Sequence, residues 1–124
     1  MSLNILIIDD TETHASLVAR VVRKQGNEAV VAQSAEEGLT KFEEQDFDLV
    51  ITDIFMEGMG GIAGIKKIRA LHSHVKIIAM SAGYSEMTAE EALKTAQEVG
   101  ADVVLPKPFA LAELRDVVSK LLES

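Results

Sequence analysis

A chain of 124 residues with 48% apolar and 26% charged content, no cysteine and a formal charge of −8 is sized for one core. It excludes disulfide, thiolate-metal and cysteine-nucleophile chemistry. The acidity argues against general affinity for nucleic acid or an anionic membrane, both of which call for a basic face. No apolar run approaches the roughly 20 residues that span a bilayer, and MSLNILIIDD has neither a basic leader nor a cleavage site, which fits a cytoplasmic setting.

Along the chain the apolar pattern alternates between two periods. Residues 3–9 (LNILIID) read as a strand that runs straight into two adjacent carboxylates, Asp9 and Asp10. A helical stripe follows in ETHASLVARVVRKQ, with Leu17, Val18, Val21 and Val22 inward and Gly26 as its C-terminal cap. EAVVA (28–32) is a second strand. SAEEGLTKFEEQ opens with Ser34 and Glu37 at capping-box spacing and buries Leu39 and Phe42. DLVITD (48–53) is a third strand, ending in Asp53, and GIAGIKKIRALH then gathers Ile62, Ile65, Ile68 and Leu71 on one stripe. VKIIAMS (75–81) is a fourth strand, ending in Ser81. TAEEALKTAQEVG carries a second capping box, Thr88 with Glu91, and stops at Gly100. DVVLP (102–106) leads into Lys107 and Pro108, and ALAELRDVVSKLLES turns Leu111, Leu114, Val117, Val118 and Leu121 inward. Near-continuous apolar strands are those of a parallel sheet covered on both faces. Five rounds of strand and helix therefore predict a doubly wound parallel sheet, in one domain over residues 1–124.

In such sheets the functional crevice lies at the carboxyl ends of the strands. Asp9, Asp10, Asp53, Ser81 and Lys107 all fall there. Each has a bland alternative taken singly: Asp10 or Thr11 as a helix cap, Asp53 as a turn opener, Ser81 as a loop serine, Lys107 as a surface lysine. Jointly they suit one chemistry. Three close carboxylates raise one another's pKa and strain the fold, and a hard divalent cation relieves the strain. Such a cation leaves open positions for a phosphoryl group, whose charge the metal and Lys107 neutralise while Ser81 donates a hydrogen bond. The central Asp53 is then the natural nucleophile, giving an acyl phosphate. His14, His72 and His74 read as groups that meet backbone or solvent, not a metal.

These residues make the chain resemble the receiver domain of two-component response regulators, chemotaxis regulators included, over essentially its whole length. The acidic pair, the lone Asp53, Ser81-Ala82, Lys107-Pro108-Phe109, and Met56, Met59 and Gly61 in DIFMEGMGG carry the likeness. The resemblance implies a flavodoxin-like fold with strand order 2-1-3-4-5. It implies Mg²⁺ bound directly by Asp10, Asp53 and the backbone carbonyl of Phe55, with Asp9 acting through water. Asp53 would accept a phosphoryl group from a histidine kinase or histidine phosphotransfer protein, Ser81 and Lys107 would hold its oxygens, and the Lys107–Pro108 bond would be cis. The domain would switch a surface around the fourth and fifth strands and helices to engage a downstream protein or an output domain absent from this chain, without itself touching nucleic acid or membrane. It would phosphorylate and dephosphorylate itself without being a turnover enzyme.

Departures from the pattern sharpen the expectation. Glu57 stands where the family usually has proline, Gly60 where it has an acid or amide, and Val104 where many members carry a rotating aromatic. A coupling that swings a ring at that position cannot operate. The segment from Ser81 to Lys107 is longer than usual, and its Tyr84 and Met87 offer a candidate partner patch, with Met87 as a cover for the core the plainer alternative. A haloacid-dehalogenase-like phosphohydrolase needs D-x-D where this chain has adjacent acids and Thr11. A flavodoxin-like or dinucleotide-binding module needs a Gly- or hydroxyl-rich turn, which Asp9 and Asp10 would spoil. A degenerate receiver acting only as an interaction module conflicts with the intact acid, hydroxyl and lysine set.

Overall fold

Aliphatic residues fill the middle strands because both faces of the sheet are covered. The computed structural model describes residues 3–54, 61–81 and 89–123. Within them β1 (Asn4–Ile8), α1 (Glu12–Lys24), β2 (Glu28–Ala32), α2 (Ala35–Glu44), β3 (Leu49–Asp53), α3 (Gly61–Leu71), β4 (Lys76–Ser81), α4 (Ala89–Val99), β5 (Val103–Pro106) and α5 (Leu111–Glu123) follow in order. The strands pair in parallel as β2-β1-β3-β4-β5. This is the expected doubly wound, flavodoxin-like sheet.

Alternate strand residues face opposite sides, so the sheet builds two cores. Ile5, Ile7, Leu49, Ile51, Ile78 and Met80 pack with Val18 and Val22 of α1 and Leu114 and Val118 of α5. Leu6, Ile8, Val50, Ile77, Ala79 and Val104 pack with Phe42 of α2, Ile65 and Ile68 of α3, and Val99 of α4. Each such side chain contributes roughly 1.5–3 kcal/mol when withdrawn from water. α2 approaches β1 so closely that a Cβ on Gly38 would sit 2.4 Å from Ile8 Cδ1, which is why glycine occupies that turn.

The helical stripes are narrower than the sequence pattern suggests. Leu17, Ile62, Leu71 and Leu111, all expected inward, are 39%, 39%, 56% and 45% exposed. Leu17 flanks the Ala15–Val18–Ala19–Val22 ridge that meets the sheet, and the other three sit in the first or last turn of their helices. Leu39 is only partly buried, whereas Phe42 is buried. Gly26 and Gly100 adopt φ +88° and +86° and end α1 and α4 as expected. At α2 the Glu37 N–H donates to Ser34 Oγ at 3.0 Å, while the Glu37 carboxylate accepts from Gln33 N–H rather than from the cap residue. Thr11 caps α1 without a side-chain bond, and Thr88 lies outside the described residues.

β2 begins where read, and β3 and β5 begin one residue later than read because Asp48 and Asp102, which precede them, bond to neighbouring strands. Asp48 Oδ2 accepts from Asn4 N–H at 2.9 Å, and Asp102 Oδ2 accepts from Ile77 N–H at 2.7 Å. Arg69 of α3 closes this amino end of β4 and β5. It donates to the carbonyls of Gly100 (2.8 Å), Ser73 (3.1 Å) and Val75, and to Asp102 Oδ2 (2.8 Å). On the other face, Gln25 Nε2 donates to the Arg115 carbonyl (3.1 Å) and Ser119 Oγ (3.0 Å), tying the end of α1 to α5.

Candidate functional site

Strand order reverses between β1 and β3, and both strands lead into acids at that point. Asp9 follows β1, with its N–H on the Ala32 carbonyl of β2 at 3.0 Å. Asp53 closes the fully buried β3. The two acids of the opening pair divide: Asp9 is completely buried and Asp10 is exposed. One oxygen each from Asp9, Asp10 and Asp53 lie within 4.8 Å of one another. Lys107, delivered by the segment after β5, donates to Asp53 Oδ2 at 2.9 Å and stands 3.4 Å from Asp9 Oδ2.

Asp9 is held by several donors. The Thr11 N–H donates to its Oδ1 at 2.9 Å, and His14 Nδ1 lies 2.6 Å from its Oδ2. Burial works to raise its pKa, but the His14 bond, the Thr11 N–H and the Lys107 and His14 charges prevail and hold it below the ordinary 3.8. The expected mutual upward shift of the acids is therefore reversed at Asp9. An ionised carboxylate only accepts hydrogen bonds, so the proton between Asp9 and His14 resides on Nδ1.

His14 was expected to meet backbone or solvent, and instead it joins the site. Its spacing five residues after Asp9 was the available signal. That spacing acquires meaning only once Asp9 is seen to turn back over the first turn of α1. His72 and His74 are exposed.

Asp9, Asp10, Asp53 and Lys107 are thus assembled at one strand edge. Ser81 closes β4 beside Pro106, but its side chain lies outside the described residues, as do Phe55, Glu57, Gly60, Tyr84 and Met87. Lys107–Pro108 is cis, as the resemblance implies. Val104 is buried in the core under α3 and α4. The acidic donor set consists of oxygen alone, which suits a hard cation. Two like charges this close repel by roughly 3–4 kcal/mol at an effective dielectric of about 20, so three carboxylates facing one ammonium can hold a metal ion.

A parallel 2-1-3-4-5 sheet with acids at its switch point defines a flavodoxin-like domain of receiver type. The family model for the response regulator receiver domain matches residues 5–119, and the chain belongs to that family, a signalling domain of two-component systems. It is 36% identical over 121 residues to the transcriptional regulatory protein ZraR of Escherichia coli K12, covering 98% of this chain and 26% of that protein. It is 29% identical over 127 residues to the sensory/regulatory protein RpfC of Xanthomonas campestris pv. campestris, covering 99% of this chain and 17% of RpfC. The chain thus spans about a quarter or less of these two relatives. Among solved structures, NtrX from Brucella abortus superposes with a TM-score of 0.87 at 28% identity, covering 99% of this chain and 27% of that one. The Vibrio cholerae chemotaxis protein CheY4 matches in fold, with a TM-score of 0.85 at 24% identity over 98% and 99% of the two chains.

Proposed function

We propose that residues 1–124 act as one phospho-accepting receiver unit, in which Asp53 takes a phosphoryl group from a histidine kinase or histidine phosphotransfer protein. The observation that carries this reading is the Lys107 ammonium 2.9 Å from Asp53 Oδ2, beside two further acids whose oxygens lie within 4.8 Å. A carboxylate oxygen of Asp53 forms the new bond to phosphorus as the phosphorus–nitrogen bond to the donor imidazole breaks. Lys107 is already within reach of the atom that will carry the group, and it offsets the charge that builds on the phosphoryl oxygens. Ser81, at the end of the adjacent β4, supplies a hydroxyl to one of those oxygens.

Mg²⁺ would be held by Asp10, Asp53 and the Phe55 carbonyl, with Asp9 reaching it through water; when bound it neutralises charge and orients the phosphoryl group. Asp53 and Asp9, buried and held by fixed donors, keep their orientation without it. The product is a single modified side chain, so the domain serves as a switch and not as a turnover enzyme. The switched surface is the face around β4, α4, β5 and α5, and the partner is a downstream protein or an output domain. With Val104 packed into the core, the switch works without a swinging ring at that position. The net charge of −8 supports a protein partner over direct contact with nucleic acid or membrane. Among the described residues no helix is long and apolar enough to cross a bilayer; the proposed place of work is the cytoplasm.

Incubation with acetyl phosphate and Mg²⁺ should add one acid-labile phosphate by intact mass, and Asp53→Asn should add none. Uptake by Asp53→Asn removes the assignment. Release of many equivalents of phosphate from a phosphomonoester would favour a phosphohydrolase instead.

A further inference from the structure

His14 has two contacts that lead to the two ends of the same charge pair. Its Nδ1 is 2.6 Å from Asp9 Oδ2, and its ring meets Phe109 edge-on, with centroids 5.6 Å apart and planes at 72°. Phe109 lies two residues beyond Lys107, so one imidazole braces both the acid and the segment that carries the lysine.

The oxygen it holds is contested. Asp9 Oδ2 faces His14 at 2.6 Å and Lys107 Nζ at 3.4 Å, while the same ammonium is 2.9 Å from Asp53 Oδ2. The first is a short charge-assisted bond and the second lies beyond good hydrogen-bond range. Asp9 is fully buried, so an Oδ2 deprived of His14 has no bulk solvent to turn to and draws on the remaining donor, the ammonium. The oxygen that keeps His14 is the oxygen that leaves Lys107 to Asp53.

We infer that His14 is a positioning residue of the phosphoryl-accepting site: its Nδ1–H saturates Asp9 Oδ2, fixing Asp9 toward the cation and leaving the Lys107 ammonium on Asp53. This rests on the receiver reading above and adds a residue to it. Outer-shell partners around a metal site typically change affinity or activity by about 10- to 100-fold when removed.

The test compares His14→Leu, which keeps bulk against Phe109 but has no donor, with His14→Asn, whose amide N–H branches from the same carbon position as Nδ1. Mg²⁺ affinity by calorimetry and the single-turnover rate with acetyl phosphate at saturating Mg²⁺ are the readouts, and melting in EDTA checks folding. His14→Leu is expected to weaken Mg²⁺ binding about tenfold and slow phosphorylation by a similar factor, and His14→Asn to recover most of both. A Leu variant equal to wild type overturns the inference. So does an Asn variant as impaired as Leu, which would assign the ring to packing on Phe109. Nitrogen-15 spectra of the metal-free wild type give a check that needs no variant: the proton should be on Nδ1, and a bare Nδ1 overturns the inference. If the wild type itself neither binds Mg²⁺ nor takes phosphate while Nδ1 is protonated, the receiver reading is what fails.

Discussion

The two ends of the sheet carry polar clusters made from similar groups and balanced in opposite ways. At the amino end of β4 and β5, Arg69 faces one carboxylate, Asp102, and spends its remaining donors on the carbonyls of Gly100, Ser73 and Val75. Positive and negative charge match, and the cluster closes a gap between α3, β4 and the turn after α4. At the carboxyl end, Asp9, Asp10 and Asp53 face the Lys107 ammonium and the His14 imidazole among the described residues. A balanced cluster is a joint, whereas an unbalanced one attracts positive charge.

The largest effect that separates the two should come from Mg²⁺. At about a hundred times its dissociation constant the ion should add about 2.7 kcal/mol to wild-type stability, read as a rise in melting temperature. Asp10→Ala should abolish that rise and Arg69→Met should keep it in full. A melting curve indifferent to Mg²⁺ would break the comparison at its root. Next in size, Arg69→Met should destabilise the metal-free protein by about 2 kcal/mol, since several carbonyls and a carboxylate lose their donor. Asp10→Ala in EDTA should instead raise the melting temperature, by on the order of a few degrees. Denaturant unfolding in which both variants lose stability would show that the carboxyl end holds no excess of repulsion.

The smallest effect is on acid stability. The Asp9 pKa is lowered in the folded protein, so its contribution is present above the ordinary aspartate value and is lost as pH falls through the depressed one. The metal-free wild type should therefore lose stability steeply below about pH 4, and Asp9→Asn should flatten that limb. An unchanged acid limb would remove Asp9 from the account.

The skeleton of the fold and four of the site residues were legible because each rests on short-range pattern. An aliphatic run that stops at an acid marks both a strand and its carboxyl end, and the parallel topology then places Asp9, Asp53 and Lys107 together. The helix faces were less legible, as Leu17 and Leu71 show: apolar periodicity states which residues prefer burial, not how wide a ridge the sheet can cover. The His14 role was hidden because it depends on the direction in which Asp9 turns. The Thr11 N–H sets that direction, and no composition or period encodes it. The sign of the Asp9 shift was missed for the same reason. Counting acids predicts repulsion, while the donors aimed at one of them decide the outcome.

The Gln25 bonds to the Arg115 carbonyl and Ser119 Oγ impose a mechanical constraint. With α1 and α5 fastened on one side of the sheet, those helices form a common plate, and a rearrangement begun at the strand ends either carries both or passes to the opposite face. For anyone measuring motion in this molecule, a pair of labels on α1 and α5 should hold its distance, whereas a pair on α1 and α4 reads the face proposed to switch.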